Sequence, residues 1–273
     1  MTKIIVPIDF SQCSEYALEA AAILAKRNNA DLLVLHMLEL DQGSLVNSGN
    51  DQNQQMVFFL KLAEQKFEEY LNKDFLEGLS VTPIVKHFKV FSEVANVAKE
   101  HDADMIVMGS HGTSGLSEIF VGSNTEKVVR YSEIPVLVVK QKPDKLNFDM
   151  VTFASDFSSE MVAPYMKARK LFTNLKLIHV NIPGEGFKSS SEIQKTVASF
   201  LQIADGNLDK LNDVHYTSDY TIEKGILNAS NLLGADLIAV PTHGRKGLAH
   251  FFSGSISEDV ANHATLPVIT FKI

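Results

Sequence analysis

Short apolar runs alternate with helical patterns along the chain. Residues 3–8 (KIIVPI), 31–38 (DLLVLHML), 81–88 (VTPIVKHF), 104–109 (DMIVMG) and 135–139 (PVLVV) are brief and rich in apolar or β-branched residues. That is the pattern of strands buried on both faces. Between them lie stretches with helical spacing: 14–27 behind Ser11 as an expected N-cap, 56–76, 92–102 opening at Ser92, and 124–132. Strict alternation of strand and helix predicts a mostly parallel sheet with helices on both faces. Right-handed crossovers then leave few topologies.

The pattern occurs twice. IVPIDFS at 5–11 matches TFASDFS at 152–158, and LLVLHM at 32–37 matches LKLIHV at 175–180. ADMIVMGSHG at 103–112 matches ADLIAVPTHG at 235–244, GSNTEKV at 122–128 matches GSISEDV at 254–260, and IPVLVV at 134–139 matches LPVITF at 266–271. Five matches in one order define an internal repeat. The offset is 147 residues at Asp9/Asp156, 143 at His36/His179, and 132 at Gly112/Gly244 and Pro135/Pro267. The second repeat therefore loses residues in its first helix and in its middle, then stays in register. Two domains are expected, 1–142 and 147–273, joined by the polar stretch 141–147. The Gly/Asn/Gln-rich segment 41–55 reads as a mobile loop.

Composition narrows the class. The chain has 273 residues, 45% of them apolar, so each half can bury a core. A net charge of -8 argues against a dedicated nucleic-acid binder. It does not exclude phosphate ligands, which backbone N–H groups can hold. Cys13 is the single cysteine, so no intrachain disulfide is possible, which fits a reducing compartment. The N-terminus lacks a signal-peptide pattern and no apolar run is long enough to span a bilayer. A cytoplasmic protein without membrane contact is expected.

The candidate chemistry lies after the fourth strand. Ligands of open α/β sheets bind beyond the carboxyl ends of the strands, where strand order reverses. Asp9 follows the first strand, Asp156 takes the same place in the second repeat, and Gly109 follows the fourth strand. If strands one and four are neighbours, these groups face one crevice. Gly109 and Gly112 are followed by Gly122-Ser123 and a helix opening at Asn124. Such glycines let the backbone approach a ligand, and helix N-terminal N–H groups favour an oxyanion. Ser123 and Thr125 add hydroxyls.

On these residues the chain resembles a tandem universal stress protein. Gly109, Gly112, Gly122 and Ser123 fit that family's ATP-binding signature, Gly-x2-Gly-x9-Gly-(Ser/Thr), and the VPIDFS, LHM and IPVLVV segments also match. The resemblance implies two doubly wound α/β domains, each with a five-stranded parallel sheet of order 3-2-1-4-5. It implies ATP with Mg²⁺ as cofactor, with adenine and ribose near Pro7, Asp9 and Met37 and with Met108 beneath. The phosphates would rest on Gly109, Gly112, Gly122, Ser123, Asn124 and Thr125. It further implies that the fifth strands pair within the chain, leaving association of two chains open.

The second repeat departs from the signature. Asp156, Val180, Gly244, Gly254 and Ser255 persist, but Pro241 replaces Gly109 and Ala154 replaces Pro7. Proline lacks an N–H donor and stiffens the turn. The first repeat is thus expected to be the better nucleotide site, with the second either a weaker site or none. In the first repeat, no glycine lies between Lys89 and Glu93, before the third helix, where many family members have one.

Other chemistry is set aside. His36 and His179 among apolar neighbours read as core or hinge histidines, and His111 and His243 as packed or solvated. Neither HExxH nor Cys2His2 spacing occurs. Cys13 has no CxxC partner, and the spacing of Ser11, His36 and Asp9 gives no triad. No Gly-Lys-Ser/Thr follows the glycines, so efficient hydrolysis lacks its usual parts. A nucleotide-dependent regulatory protein in stress response is the leading expectation. A slow ATP-using enzyme, ATPase or adenylyltransferase in type, and a ligand-free scaffold are the alternatives.

Overall fold

A computed structural model describes residues 1–38, 61–87, 93–110, 122–142, 148–243 and 256–273. In the first repeat the elements are β1 (Lys3–Ile8), α1 (Gln12–Asn28), β2 (Asp31–Leu38), α2 (described over 61–71), β3 (Val81–His87), α3 (Glu93–Glu100), β4 (Met105–Gly109), α4 (Ser123–Tyr131) and β5 (Val136–Val139). The second repeat runs β6 (Val151–Ala154), α5 (Val162–Leu171), β7 (Leu175–Asn181), α6 (Ser190–Ala204), β8 (His215–Ser218), α7 (Ile222–Leu232), β9 (Leu237–Thr242), α8 (Ile256–His263) and β10 (Val268–Lys272).

The strands form one ten-stranded sheet of order β3-β2-β1-β4-β5-β10-β9-β6-β7-β8. Each half has the expected 3-2-1-4-5 order, and all pairings inside a half are parallel. The halves meet at an antiparallel joint in which Val136 faces Thr270, Leu137 faces Ile269 and Val138 faces Val268. In repeat numbering Leu137 and Ile269 are equivalent, so a pseudo-two-fold axis passes through that pair. Each fifth strand thereby covers the other's open edge.

Apolar packing follows the same plan. On one face, both repeats share a continuous core that includes Val107, Leu137, Val139, Phe153, Ile269 and Phe271, covered by α1, α5 and α6. On the other face each repeat keeps its own core, one built with α3 and α4 and one with α7 and α8. Each fully buried Val, Leu, Ile or Phe contributes roughly 1.5–3 kcal/mol. A continuous core on one face therefore makes the repeats mutually stabilising.

Helix boundaries match the caps. Ser11 caps α1, accepting from Ser14 N at 3.2 Å. The helix expected over 56–76 is shorter at its end: it stops at residue 71, and Asp74–Leu76 form a separate 3-10 turn that buries Leu76. The residues lost from the second repeat's first helix are also visible. Where α1 has 17 residues, the second repeat has a three-residue 3-10 turn (Ser159–Met161) and the 10-residue α5. Segment 41–55, Ser92 and residues 143–147 of the expected linker lie outside the described residues. No described helix is long and apolar enough to cross a membrane.

Candidate functional site

The register of the central strands sets the site in each repeat. Ile8 pairs with His36, while Ile4 and Ile5 pair with Met105 and Ile106. One residue beyond β1, that register sets Asp9 between Met37 and Ser110. In the second repeat Ala154 pairs with Ile178 and Phe153 with Ala239, which sets Asp156 level with Val180 and Thr242. Strands one and four are neighbours in both repeats, so aspartate and strand-four terminus face one crevice.

Each aspartate is held in a tight turn. Asp9 Oδ1 accepts from Ser11 N at 3.0 Å across Phe10, whose φ is 62°. Asp156 Oδ1 accepts from Ser158 N at 2.9 Å across Phe157, whose φ is 60°. A bulky side chain at positive φ costs on the order of 1–3 kcal/mol and persists only where its surroundings hold it. Aromatic contacts do so here. The Phe10 ring lies 4.5 Å from His36, 5.3 Å from Tyr70 and 5.5 Å from Phe67. Phe157 lies 5.2 Å from Phe200 and 5.9 Å from His179. Sequence reasoning passed over both phenylalanines, although the repeated Asp-Phe-Ser triplet was the signal.

The histidines complete these turns. His36 Nδ1 lies 3.0 Å from the Ile8 carbonyl oxygen, and His179 Nδ1 lies 3.2 Å from that of Ser155. A carbonyl only accepts, so Nδ1 carries the proton. Burial holds both rings below the usual histidine pKa, while the backbone bond opposes that shift. They serve as neutral posts under the two Asp-Phe-Ser turns, in keeping with the core reading of these residues.

The end of β4 is tied to the start of α4. Gly122, the N-cap of α4, donates its N–H to the Ser110 carbonyl at 2.6 Å. Thr125 is buried, and its hydroxyl donates to the Gly109 carbonyl at 2.9 Å. That hydroxyl proton is committed inside the protein, so what Thr125 can offer a ligand is its backbone N–H. Gly122 brings no capping side chain to α4, and the first-turn N–H groups of a helix suit an outside acceptor. Ser123 is exposed and Asn124 half-buried at this turn.

Gly109 has a packing role that its place in the motif did not reveal. A Cβ there would lie 2.7 Å from the Cys13 carbonyl oxygen and 3.1 Å from Cys13 Cβ. The first turn of α1 therefore requires glycine at this point. In the second repeat the packing is rebuilt: a 3-10 turn takes the place of that first helical turn, and half-buried Pro241 stands in β9.

Pro7 is buried in β1 opposite Leu35, and Met37 and Met108 are buried in the core beneath the crevice on the α3/α4 side. Val180 packs under α7 so closely that a Cβ at Gly225 would fall 2.4 Å from Val180 Cγ1. Gly225 was not singled out from sequence because a lone helical glycine carries no pattern. Gly112, Gly244, Gly254 and Ser255 lie outside the described residues. Among the described residues, no group of three or more His, Cys, Asp or Glu side chains is placed to hold a metal ion.

Comparison with known proteins agrees with this architecture. The model of the universal stress protein family matches residues 1–140 and 194–272. Universal stress protein MJ0577 of Methanocaldococcus jannaschii is 33% identical over 154 residues, spanning 51% of this chain and 95% of its own. Universal stress protein YxiE of Bacillus subtilis is 31% identical over 152 residues, spanning 50% of this chain and 98% of its own. A universal stress protein from Archaeoglobus fulgidus has the same fold over 99% of this chain and 96% of its own, with a TM-score of 0.65 and 23% identity. Single-repeat relatives thus match half of the chain, and the fold of a relative of comparable length matches the whole. With two 3-2-1-4-5 sheets joined at their fifth strands and a family match over both, the chain belongs to the universal stress protein family.

Proposed function

We propose that this chain is a regulatory protein that binds an adenine nucleotide, ATP with Mg²⁺, and that the first repeat is the better site. The observation that carries the reading is the first turn of α4, whose N-cap Gly122 offers it no side chain and which is tied to the end of β4 beside Asp9. An oxyanion fits such a turn, and an aspartate can accept two ribose hydroxyl protons. In this reading Gly112, Ser123, Asn124 and Thr125 hold the phosphates through backbone N–H groups, with the Ser123 hydroxyl beside them, while Gly109 and Gly122, the latter's N–H committed to Ser110, let the backbone come close. Asp9 takes the ribose, and Pro7, Met37 and Met108 underlie the base. In the second repeat Asp156, Val180, Gly244, Gly254 and Ser255 would serve a weaker site.

Bound ATP brings a charged triphosphate, and Mg²⁺ would travel with those phosphates rather than in a protein cage. The chain's own residues bind and orient. With no Gly-Lys-Ser/Thr after the glycines, hydrolysis is slow at most and occupancy itself is the signal. The test is direct. The protein is purified and denatured, its supernatant is scanned for adenine absorbance, and the folded protein is titrated with ATP and Mg²⁺. Released nucleotide or a saturating thermal shift supports the reading, and absence of both removes it. Multiple turnovers at an ordinary enzymatic rate would replace it with an ATP-using enzyme.

A further inference from the structure

Two lysines cross the joint between the repeats. Lys140 follows β5, and its Nζ donates to the backbone carbonyl of Asn262, near the end of α8. Lys272 closes β10, and its Nζ donates to the carbonyl of Arg130, near the end of α4, at 2.6 Å. In repeat numbering Lys140 is the equivalent of Lys272 and Arg130 that of Asn262. The two bonds are one contact made twice about the pseudo-two-fold axis. A surface lysine finding a carbonyl by accident would not do so at both related places.

The last carbonyls of a helix lack partners within it and carry partial negative charge. A lysine satisfies one of them and complements that charge. Which helix is gripped matters more. α4 has 9 residues, and its first turn forms the candidate phosphate cradle. Its own repeat holds it at that end, through Gly122 N to the Ser110 carbonyl and Thr125 Oγ1 to the Gly109 carbonyl. The opposite repeat holds its other end. α8 stands in the same relation to Lys140. Burial lowers the pKa of Lys140 to about 8, as expected for an amine taken partly out of water to reach its carbonyl.

We propose that each repeat supplies the C-terminal cap of the other's cradle helix, making Lys272 and Lys140 positioning residues that couple the two candidate sites. The cap rests on geometry alone, and its effect on ligand rests on the nucleotide reading above. Coupling of this kind is reciprocal. A ligand that steadies α4 strengthens the Lys272 bond, and losing that bond weakens the ligand.

Hydrogen exchange on the ligand-free full chain tests the cap. Lys272→Met is expected to speed exchange severalfold in the last turn of α4 and to leave α8 as in the parent. Lys140→Met should do the reverse, and Lys272→Arg should stay near the parent. Unchanged exchange in α4 of Lys272→Met, or equal loosening of both helices, overturns the proposal. Titration with ATP and Mg²⁺ then tests the coupling, with affinity in Lys272→Met expected to fall about threefold. Equal affinity in parent and variant overturns the coupling. If the parent takes up no ATP, the nucleotide reading fails and the exchange result alone decides the cap.

Discussion

Gly109 has no room for a side chain because Cys13 stands against it, the Cys13 carbonyl oxygen lying 2.7 Å from where a Cβ would be. The glycine that opens the spaced-glycine motif is thus a packing glycine. Gly109→Ala is expected to lose about 1–3 kcal/mol of stability with no ligand present, the cost of overfilling a tight contact. Urea unfolding of the ligand-free protein measures it. A glycine needed only by a ligand would leave the midpoint where it was.

Thr125 separates support of the cradle from contact with ligand. Its buried hydroxyl donates to the Gly109 carbonyl at 2.9 Å. Thr125→Val keeps the shape, removes the bond and is expected to cost about 1–2 kcal/mol. Thr125→Ser keeps the hydroxyl and should recover most of that. Thermal unfolding without nucleotide ranks the three proteins, and equal stability of the valine variant and the parent would contradict the assigned bond.

His36 and His179 predict the response to acid. Burial holds both below the usual pKa, so between that lowered value and about 6.5 the unfolded chain binds protons that the folded chain refuses. Stability from these rings is complete above that window and declines as pH falls through it. The urea midpoint should be lower at pH 5.5 than at pH 7. A His36→Asn, His179→Asn double variant, which retains an amide donor for each carbonyl, should show a smaller drop. An equal drop in both proteins would locate the acid response elsewhere.

Asp9 and Asp156 test the inequality of the repeats. Asparagine keeps the oxygen that accepts from Ser11 or Ser158, so the turns survive. It removes the charge and one acceptor that a ribose would use. Asp9→Asn is expected to weaken ATP about tenfold, whereas Asp156→Asn should leave the stronger isotherm intact. Calorimetry distinguishes them, and equal losses would mean that the two sites are alike.

Much of the fold was readable because buried parallel strands write themselves as unbroken apolar runs. Lys3–Ile8 and Asp31–Leu38 have the bounds that their patterns suggest. The paired offsets exposed the repeat, whereas the joint of the fifth strands was expected only from the family resemblance. The helix over 56–76 ran too long on paper because Phe75 and Leu76 keep helical spacing after the helix has ended, packing from a 3-10 turn instead. At the site, Asp9 and the start of α4 were legible from motif and strand order. The packing role of Gly109 was not, because a glycine that a neighbouring helix demands looks like any motif glycine in sequence. The crossing lysines were hidden for another reason. Lys140 meets the Asn262 carbonyl, and Lys272 that of Arg130, only once the two repeats are joined.

The joint of β5 with β10 also changes what each half is free to become. In a pair of identical chains, every substitution appears on both sides of the axis, and a change tolerated on one side must be tolerated on the other. Tying the halves into one polypeptide removes that constraint and keeps each half at a high local concentration beside its partner. Gly109 and Pro241 can therefore occupy equivalent places in one molecule. The fusion lets one half diverge while it continues to complete the sheet of the other.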